Sequence, residues 1–121
     1  MVQVQKGEQK PPIGGFSYTM FFIYILHSSS SDVYYVGYSS DYSRRLIEHN
    51  TQEKHDTYTA KHRPWIIAAA FECSHDEGIA MKIEKFIKKQ KSRKLIELLI
   101  QADFVPTGFL ASLVRVPMHR C

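Results

Sequence analysis

An unbroken apolar run from Met20 to Leu26 restricts the possible folds of this chain more than any other segment does. The run is rich in β-branched and aromatic residues, and it is too short for a typical helix or for the ~20 residues of a membrane span. Because apolar residues stand at every position instead of every second one, the run predicts a strand that is covered on both faces. A polar break at Ser28–Asp32 and a second β-prone segment, Val33–Tyr38, predict that this strand forms a hairpin.

The segments that follow predict a helix and a third strand. Asp41 and the two serines before it offer N-cap side chains for a helix over about Tyr42–His49. The polar stretch Asn50–Pro64 predicts a loop with a short helical turn. Trp65–Cys73 is apolar and β-prone, so it predicts a third strand that completes the sheet.

Two further helices are predicted after that strand. Ser74 to Glu77 forms a capping-box pattern, which indicates the start of a helix. The apolar residues that recur in it at helical spacing are Ile79, Ile83, Phe86 and Ile87. Ser92 is placed to cap a last helix, which carries Leu95, Ile96 and Leu99. The sequence therefore predicts an α/β fold with a three-stranded antiparallel sheet flanked by helices.

The distribution of residue types divides the chain into three parts. Residues 1–19 mix Gln, Lys, Gly and Pro without a period and predict a flexible arm. Residues 20–100 predict one folded domain, and residues 101–121 form an apolar tail for which no structure is predicted. Hydrophobic residues make up 44% of the chain and charged residues 23%, which excludes wholesale disorder and a fibrous repeat.

Charge and cysteine content bear on partners and compartment. The net charge of +4 and the pI near 9.1 are compatible with an anionic partner. Only Cys73 and Cys121 are present, which favours free thiols in a reducing compartment, and we expect a cytoplasmic protein. No basic-then-apolar segment precedes the first strand, so neither a signal peptide nor a membrane partner is expected.

Two tyrosines stand out in the predicted hairpin. An even-numbered loop would place Tyr24 and Tyr35 on the same face of the sheet. Each of them alone is explained by packing, because aromatic residues favour strands.

The first predicted helix places two more polar residues on the same side. Arg45 and His49 share a face with Tyr42 and Leu46, which must meet the sheet, whereas Ser43, Arg44 and Glu48 are expected to point elsewhere. A structural arginine tied to a carboxylate and a satisfied buried histidine remain the alternative to a functional pair.

With these residues in order, the sequence resembles the GIY-YIG nucleases. Phe22-Ile23-Tyr24 corresponds to the first family triplet, with Phe in place of Gly, and Tyr35-Val36-Gly37 corresponds to the second. Arg45 and His49 keep the family spacing, and Glu84 matches the metal-binding glutamate. The resemblance covers about residues 20–99 and is greatest to the small stand-alone bacterial members.

The resemblance implies a role for each of these side chains. Tyr24 would be the general base, Tyr35 would position the water or the phosphate, and Arg45 would hold non-bridging phosphate oxygens. His49 would orient a tyrosine or relay a proton, as histidine side chains do in many active sites. Glu84 would bind one divalent ion, Mg²⁺ or Mn²⁺. Without the resemblance, an i, i+4 ion pair with Lys88 explains Glu84 as well.

A basic cluster follows the candidate metal ligand. Its members are Lys88, Lys89, Lys91, Arg93 and Lys94. They suit contacts to the backbone of a nucleic acid, which we expect to be DNA, although most such charge runs are merely solvated. Lys61, His62 and Arg63 are expected to extend this surface. The sequence thus predicts a metal-dependent endonuclease, which an unidentified protein partner would direct to its target.

Two other interpretations remain. The first is a non-catalytic nucleic-acid-binding module that keeps the fold. The second is a zinc site formed by Cys73, His75, His119 and Cys121, which is disfavoured because the spacing matches no common zinc module.

Overall fold

A computed structural model of the chain describes residues 18–51 and 57–117. Nearly all of the predicted N-terminal arm lies outside the described residues, as do His119 and Cys121 of the candidate zinc set. The strands are β1 (Phe21–Ser28), β2 (Val33–Ser39), β3 (Trp65–Ser74) and β4 (Val114–Arg115). The helices are α1 (Tyr42–Thr51), α2 (Thr57–Lys61), α3 (Glu77–Gln90) and α4 (Arg93–Leu99), with a 3₁₀ turn at Gly108–Leu110.

The sheet is antiparallel throughout and has the strand order β2-β1-β3-β4. The α/β fold with an antiparallel sheet flanked by helices is confirmed, but the sheet has four strands, not three. The additional strand comes from the tail, where Val114 and Arg115 pair with Glu72 and Phe71. A strand of two residues is too short to produce an alternating pattern, so no pattern in the sequence predicts it.

Strand β1 is covered on both faces, as its apolar run predicts. On one side, which we call the aliphatic face, Ile23 and Ile25 pack in a cluster with residues of α3 and α4, including Ile83 and Leu99. On the other side, which we call the tyrosine face, β1 contributes Tyr24 and Leu26 to a second cluster. Its other members include Trp65 and, on α1, Tyr42 and Leu46. The two clusters share β1 because successive side chains of a strand point to opposite faces.

Helix α1 begins and ends close to its predicted bounds. The carboxylate of Asp41 accepts a hydrogen bond from the backbone N–H of Arg44 at 3.0 Å, as an N-cap residue does. The helix continues two residues past His49, to Thr51. Helix α4 is capped as predicted, since Oγ of Ser92 accepts from the N–H of Leu95 at 3.0 Å.

The predicted capping box at the start of α3 is wrong. The cap is Asp76, which accepts from the N–H of Gly78 at 2.8 Å, and Ser74 instead accepts from the N–H of Asp76. The buried stripe of α3 consists of Ala80, Ile83 and Ile87. Ile79, which has helical spacing to that stripe, is 43% exposed because it lies on the edge away from the sheet.

The described part of the tail packs on the same core. Leu110, in the 3₁₀ turn, and Leu113 are both buried in the aliphatic cluster. Arg115 lies over the ring of Phe71 at 4.8 Å and donates to the carbonyls of Leu99 and Gln101. None of the helices in the described part of the chain is long and apolar enough to cross a membrane.

Candidate active site

Tyr24 lies at the centre of the tyrosine face and is 1% exposed. Its backbone pairs with Gly37 of β2, and its ring lies against that glycine. A Cβ atom at position 37 would lie 2.5 Å from both Cζ and Oη of Tyr24, a distance that carbon atoms do not tolerate. Gly37 therefore lets the ring of Tyr24 lie close over β2. No role was predicted for this glycine, although it closes the second motif.

Tyr35 lies on the same face as Tyr24, as the hairpin predicts. The strand register pairs Ser28 with Val33 and leaves a four-residue loop, so the parity argument holds. The rings of Tyr24 and Tyr35 are 6.5 Å apart, and both lie near the imidazole of His49, at 6.2 and 4.7 Å between ring centroids.

His49 is fully buried, and its Nε2 atom shares a hydrogen bond of 3.2 Å with the hydroxyl of Tyr24. Two contacts join the end of α1, at this histidine and at the residue after it, to the segment that leads into β3. Nε of Arg63 donates to the His49 carbonyl at 2.7 Å. The side-chain amide of Asn50 pairs with both the N–H and the carbonyl of Trp65, at 2.7 and 3.0 Å. These contacts fix the position of the imidazole beside Tyr24, and the sequence reasoning missed them.

Arg45 points toward the sheet, as predicted, and interacts with the Tyr24 hydroxyl. It also forms a short ion pair with Glu48. The prediction that Glu48 points elsewhere is wrong, because this carboxylate lies three residues from Arg45 and four from Arg44, and it binds both guanidinium groups. Both predicted alternatives for Arg45 are therefore met: a carboxylate holds its guanidinium, and the guanidinium faces Tyr24.

The electrostatics of this centre keep Tyr24 protonated. Burial of the ring raises the pKa of the Tyr24 hydroxyl far above its ordinary value. The positive charge of Arg45 lowers that pKa, but by less than burial raises it, while Tyr35 and Glu84 raise it further. Arg45 alone therefore does not turn Tyr24 into a ready base.

Glu84 lies on α3, across the sheet from α1, yet close enough to act electrostatically on Tyr24. Its carboxylate is 16% exposed and pairs with Nζ of Lys88 at 3.3 Å, so the predicted i, i+4 pair is present. The same Lys88 lies over the ring of Tyr35, 5.1 Å from its centroid. Glu84 and Tyr35 are therefore brought together at the outer edge of β2.

The metal chemistry of this site is that of a single carboxylate. Within residues 18–51 and 57–117, no three His, Cys, Asp or Glu side chains are grouped closely enough to form a metal site. An all-protein cage is thus not available among these residues. One carboxylate is enough for an ion such as Mg²⁺, which keeps several waters and takes one or two protein carboxylates, but such an ion would have to displace Nζ of Lys88 from Glu84.

The predicted basic cluster divides into two kinds of side chain. Lys88 and Arg93 are engaged within the protein: Lys88 with Glu84, and Arg93 with Asp32 at 3.0 Å and Glu97 at 2.9 Å. The other members are exposed side chains, namely Lys89, Lys91 and Lys94.

The residues expected to extend this surface behave differently from one another. Lys61 is exposed, but Nδ1 of His62 bonds to Ser31 at 2.8 Å and Arg63 is tied to the His49 carbonyl. Of the candidate zinc ligands, Cys73 is a free, half-buried thiol and His75 bonds to the carbonyl of Thr19 at 2.9 Å.

A comparison with protein families agrees with this geometry. The family model described as the GIY-YIG catalytic domain matches residues 20–96, which include both tyrosines, Arg45, His49 and Glu84. The chain belongs to the GIY-YIG family and carries its nuclease-type domain. Searches of curated proteins and of solved structures found no significant match.

Proposed function

We propose that this protein is an endonuclease that hydrolyses phosphodiester bonds in DNA with the help of one divalent metal ion. The observation that carries the proposal is the cluster around the Tyr24 hydroxyl, which shares a hydrogen bond with the imidazole of His49 and interacts electrostatically with the guanidinium of Arg45. A binding surface alone does not require a buried hydroxyl between an imidazole and a guanidinium.

The raised pKa of Tyr24 favours a relay over a free tyrosinate. The hydroxyl accepts a proton from the attacking water while its own proton passes to Nε2 of His49, 3.2 Å away. Histidine suits the end of this relay because its ordinary pKa lies near neutrality. The net result is a hydroxide nucleophile and an imidazolium at His49, so Tyr24 ends the step protonated, as it began.

The remaining side chains bind and orient the phosphate. Arg45 offers a planar guanidinium to non-bridging oxygens, and Glu48 holds that guanidinium in place. Tyr35, between His49 and Lys88, lies at the edge where a phosphate would meet them. Glu84 would hold the Mg²⁺ or Mn²⁺ ion, which supplies positive charge for the developing phosphorane.

Two observations favour a second function, a nucleic-acid-binding module that does not cut. The ion pair with Lys88 already neutralises Glu84, and burial keeps Tyr24 protonated, so the fold is satisfied without a metal or a substrate. A protein that only binds would keep the exposed lysines and have no need of the Tyr24 hydroxyl.

Replacement of Tyr24 by Phe separates the two functions. The purified protein is incubated with duplex, flapped, branched and single-stranded DNA, and with RNA of the same sequences, each with Mg²⁺, with Mn²⁺ and with neither. We expect DNA cleavage by the parent, loss of cleavage in Tyr24→Phe, and unchanged binding. Tyr38→Phe is the matched control, because its hydroxyl bonds to Glu77 on the opposite face. Cleavage by Tyr24→Phe at the parental rate would contradict the relay.

Replacement of Glu84 by Gln tests the metal site. We expect Glu84→Gln to abolish metal-dependent cleavage with little change in thermal unfolding, because the ion loses its one charged protein ligand. Glu97→Gln is the control, since Glu97 also pairs with a basic side chain four residues away but lies on α4. Failure of the parent to cut any substrate with either metal would leave the binding module as the function.

A further inference from the structure

A groove of about 470 Å³ runs along the outer edge of β2, beside the candidate active site. Because β2 is the last strand on its side of the sheet, the groove meets side chains from both faces of that strand. The junction of α3 and α4 forms one wall, and Tyr58 of α2 lies on the other side. Its volume is within the range of pockets that hold small ligands.

The lining has two chemical parts. Apolar side chains from β2, α3 and α4 form the inner wall, among them Val36, Ile87 and Ile96. Basic side chains lie around them, namely Lys88, Lys91 and Arg93. An apolar slot beside cations suits a ligand with a flat hydrophobic part and an attached anion, and a nucleotide has both.

The groove is continuous with the candidate active site. Tyr35 and Lys88 line it, and the same two side chains contact His49 and Glu84. A phosphate held near Tyr35 and Arg45 would therefore have the neighbouring nucleotide of its strand at the mouth of the groove. A base that is paired and stacked in a duplex cannot turn into such a slot, so the occupant must be unpaired.

Tyr58 offers the aromatic surface on which a base can stack. The other two tyrosines of the groove are half-buried: Arg93 and His27 lie 4.9 Å from the ring of Tyr34, and His49 and Lys88 lie against the ring of Tyr35. Tyr58 is 42% exposed, and His62 and Trp65 support its ring at 4.7 and 6.2 Å between centroids. A supported but exposed ring is the arrangement that single-strand binding sites use.

We propose that this groove binds an unpaired nucleotide next to the bond to be cut, with its base stacked on Tyr58 and its phosphate near Lys91. The placement of the cut bond rests on the nuclease function proposed above. Occupation of the groove does not depend on cleavage, so it is measured in the absence of divalent metal.

The test compares three DNAs of one sequence: a full duplex, a duplex ending in a single-stranded flap, and the same flap with abasic sites at its first three unpaired positions. We expect the full-length protein to bind the flap more tightly than the duplex, and the abasic flap no better than the duplex. Tyr58→Ala should weaken flap binding roughly 5- to 100-fold and leave duplex binding unchanged, because only the stacked base is lost. Tyr58→Phe should restore it, since the ring is kept.

Two controls make the result specific. Tyr18 is another tyrosine, 78% exposed, which lies just before β1 and does not line the groove. Tyr18→Ala should therefore bind all three DNAs as the parent does. A flap with 2-aminopurine at each of the three positions in turn should show stacking of one base in the parent and in Tyr58→Phe but not in Tyr58→Ala. Free deoxyadenosine monophosphate should compete far less well than the flap, because it lacks the neighbouring phosphates.

The outcomes separate this proposal from the nuclease function. Three outcomes would contradict the proposed nucleotide site in the groove. Tyr58→Ala could weaken flap and duplex binding equally, or weaken neither. Alternatively, the mononucleotide could compete as strongly as the flap. Cleavage without any preference for the flap would contradict the proposed nucleotide site in the groove and would support the proposed nuclease function. If the protein cuts nothing but prefers the flap in a way that depends on Tyr58, the nucleotide site in the groove would be supported and the nuclease function contradicted.

Discussion

The two faces of the sheet are built from alternate residues of the same strand, yet they bury opposite kinds of side chain. On the aliphatic face, Ile23 and Ile25 are fully buried against other apolar residues. On the tyrosine face, the equally buried Tyr24 and His49 carry polar atoms into the interior. Burial of the apolar side chains on the aliphatic face stabilises the fold. The tyrosine face can therefore hold polar groups in an interior where water does not compete for their hydrogen bonds.

Three contacts stabilise polar side chains of the tyrosine face. The Tyr24 hydroxyl meets His49, Arg45 meets Glu48, and Nε1 of Trp65 donates to the carbonyl of Thr59 at 2.8 Å. Each contact offsets the cost of taking a polar group out of water. The comparison therefore predicts that substitutions on the tyrosine face change the chemistry most, and that substitutions on the aliphatic face change stability most.

The largest effect is expected from Arg45. Arg45→Ala should lower the single-turnover cleavage rate about 10³-fold, because a positive charge aimed at the reacting centre is lost. Arg44→Ala removes a neighbouring arginine that binds the same Glu48 but is 46% exposed, against 25% for Arg45. It should change the rate little. The reverse ranking would show that the wrong arginine has been assigned to the site.

The aliphatic face supplies the opposite case. Ile25→Ala should lower the free energy of unfolding by about 2–5 kcal/mol, because it leaves a cavity in a closed core. The fraction that stays folded at low temperature should cleave at the parental rate. Ile66→Ala, at a position of β3 that is 54% exposed, should change stability by about 0.5 kcal/mol or less. Urea denaturation of the three proteins measures this, and a cleavage rate that falls with Ile25→Ala in folded protein would contradict the division between the faces.

A substitution at Gly37 should affect both the cleavage rate and the stability. Gly37→Ala pushes a methyl group into the buried ring of Tyr24, so it should cost about 1–3 kcal/mol of stability and also slow cleavage. Gly78→Ala is the matched control, because the new methyl group meets only the exposed Asp76 carboxylate, at 3.2 Å. Thermal unfolding and single-turnover rates should separate the two variants. Wild-type stability in Gly37→Ala would mean that Tyr24 can move away from its observed position.

The parts of this molecule that were predictable are those that repeat a local pattern. The continuous apolar run predicted a doubly covered strand, and the spacing of Tyr24 and Tyr35 predicted their shared face. Helical geometry placed Arg45 and His49 inward, but it placed Glu48 outward, because periodicity describes where a Cα–Cβ bond points and not where a long carboxylate reaches. The pairing of β3 with β4 and the groove could not be predicted, since β4 is two residues long and Tyr58 comes near β2 only in the tertiary fold.

The smallest effect concerns alkaline pH and compares buried with exposed tyrosines. Burial raises the pKa of Tyr24 well above 10, and burial together with the hydrogen bond to Glu77 raises the pKa of Tyr38 to about 12. Above about pH 10 the unfolded chain therefore releases protons that the folded protein retains, so the stability that these two groups contribute falls as pH rises. Tyr24→Phe and Tyr38→Phe should each make the melting temperature decline less steeply between about pH 9 and pH 11. Tyr18→Phe, at a position 78% exposed, should leave that decline unchanged. An equal decline of the melting temperature in all three variants would show that Tyr24 ionises as readily in the folded protein as in the unfolded chain. A free tyrosinate could then act as the base, and the proton relay through His49 would not be needed.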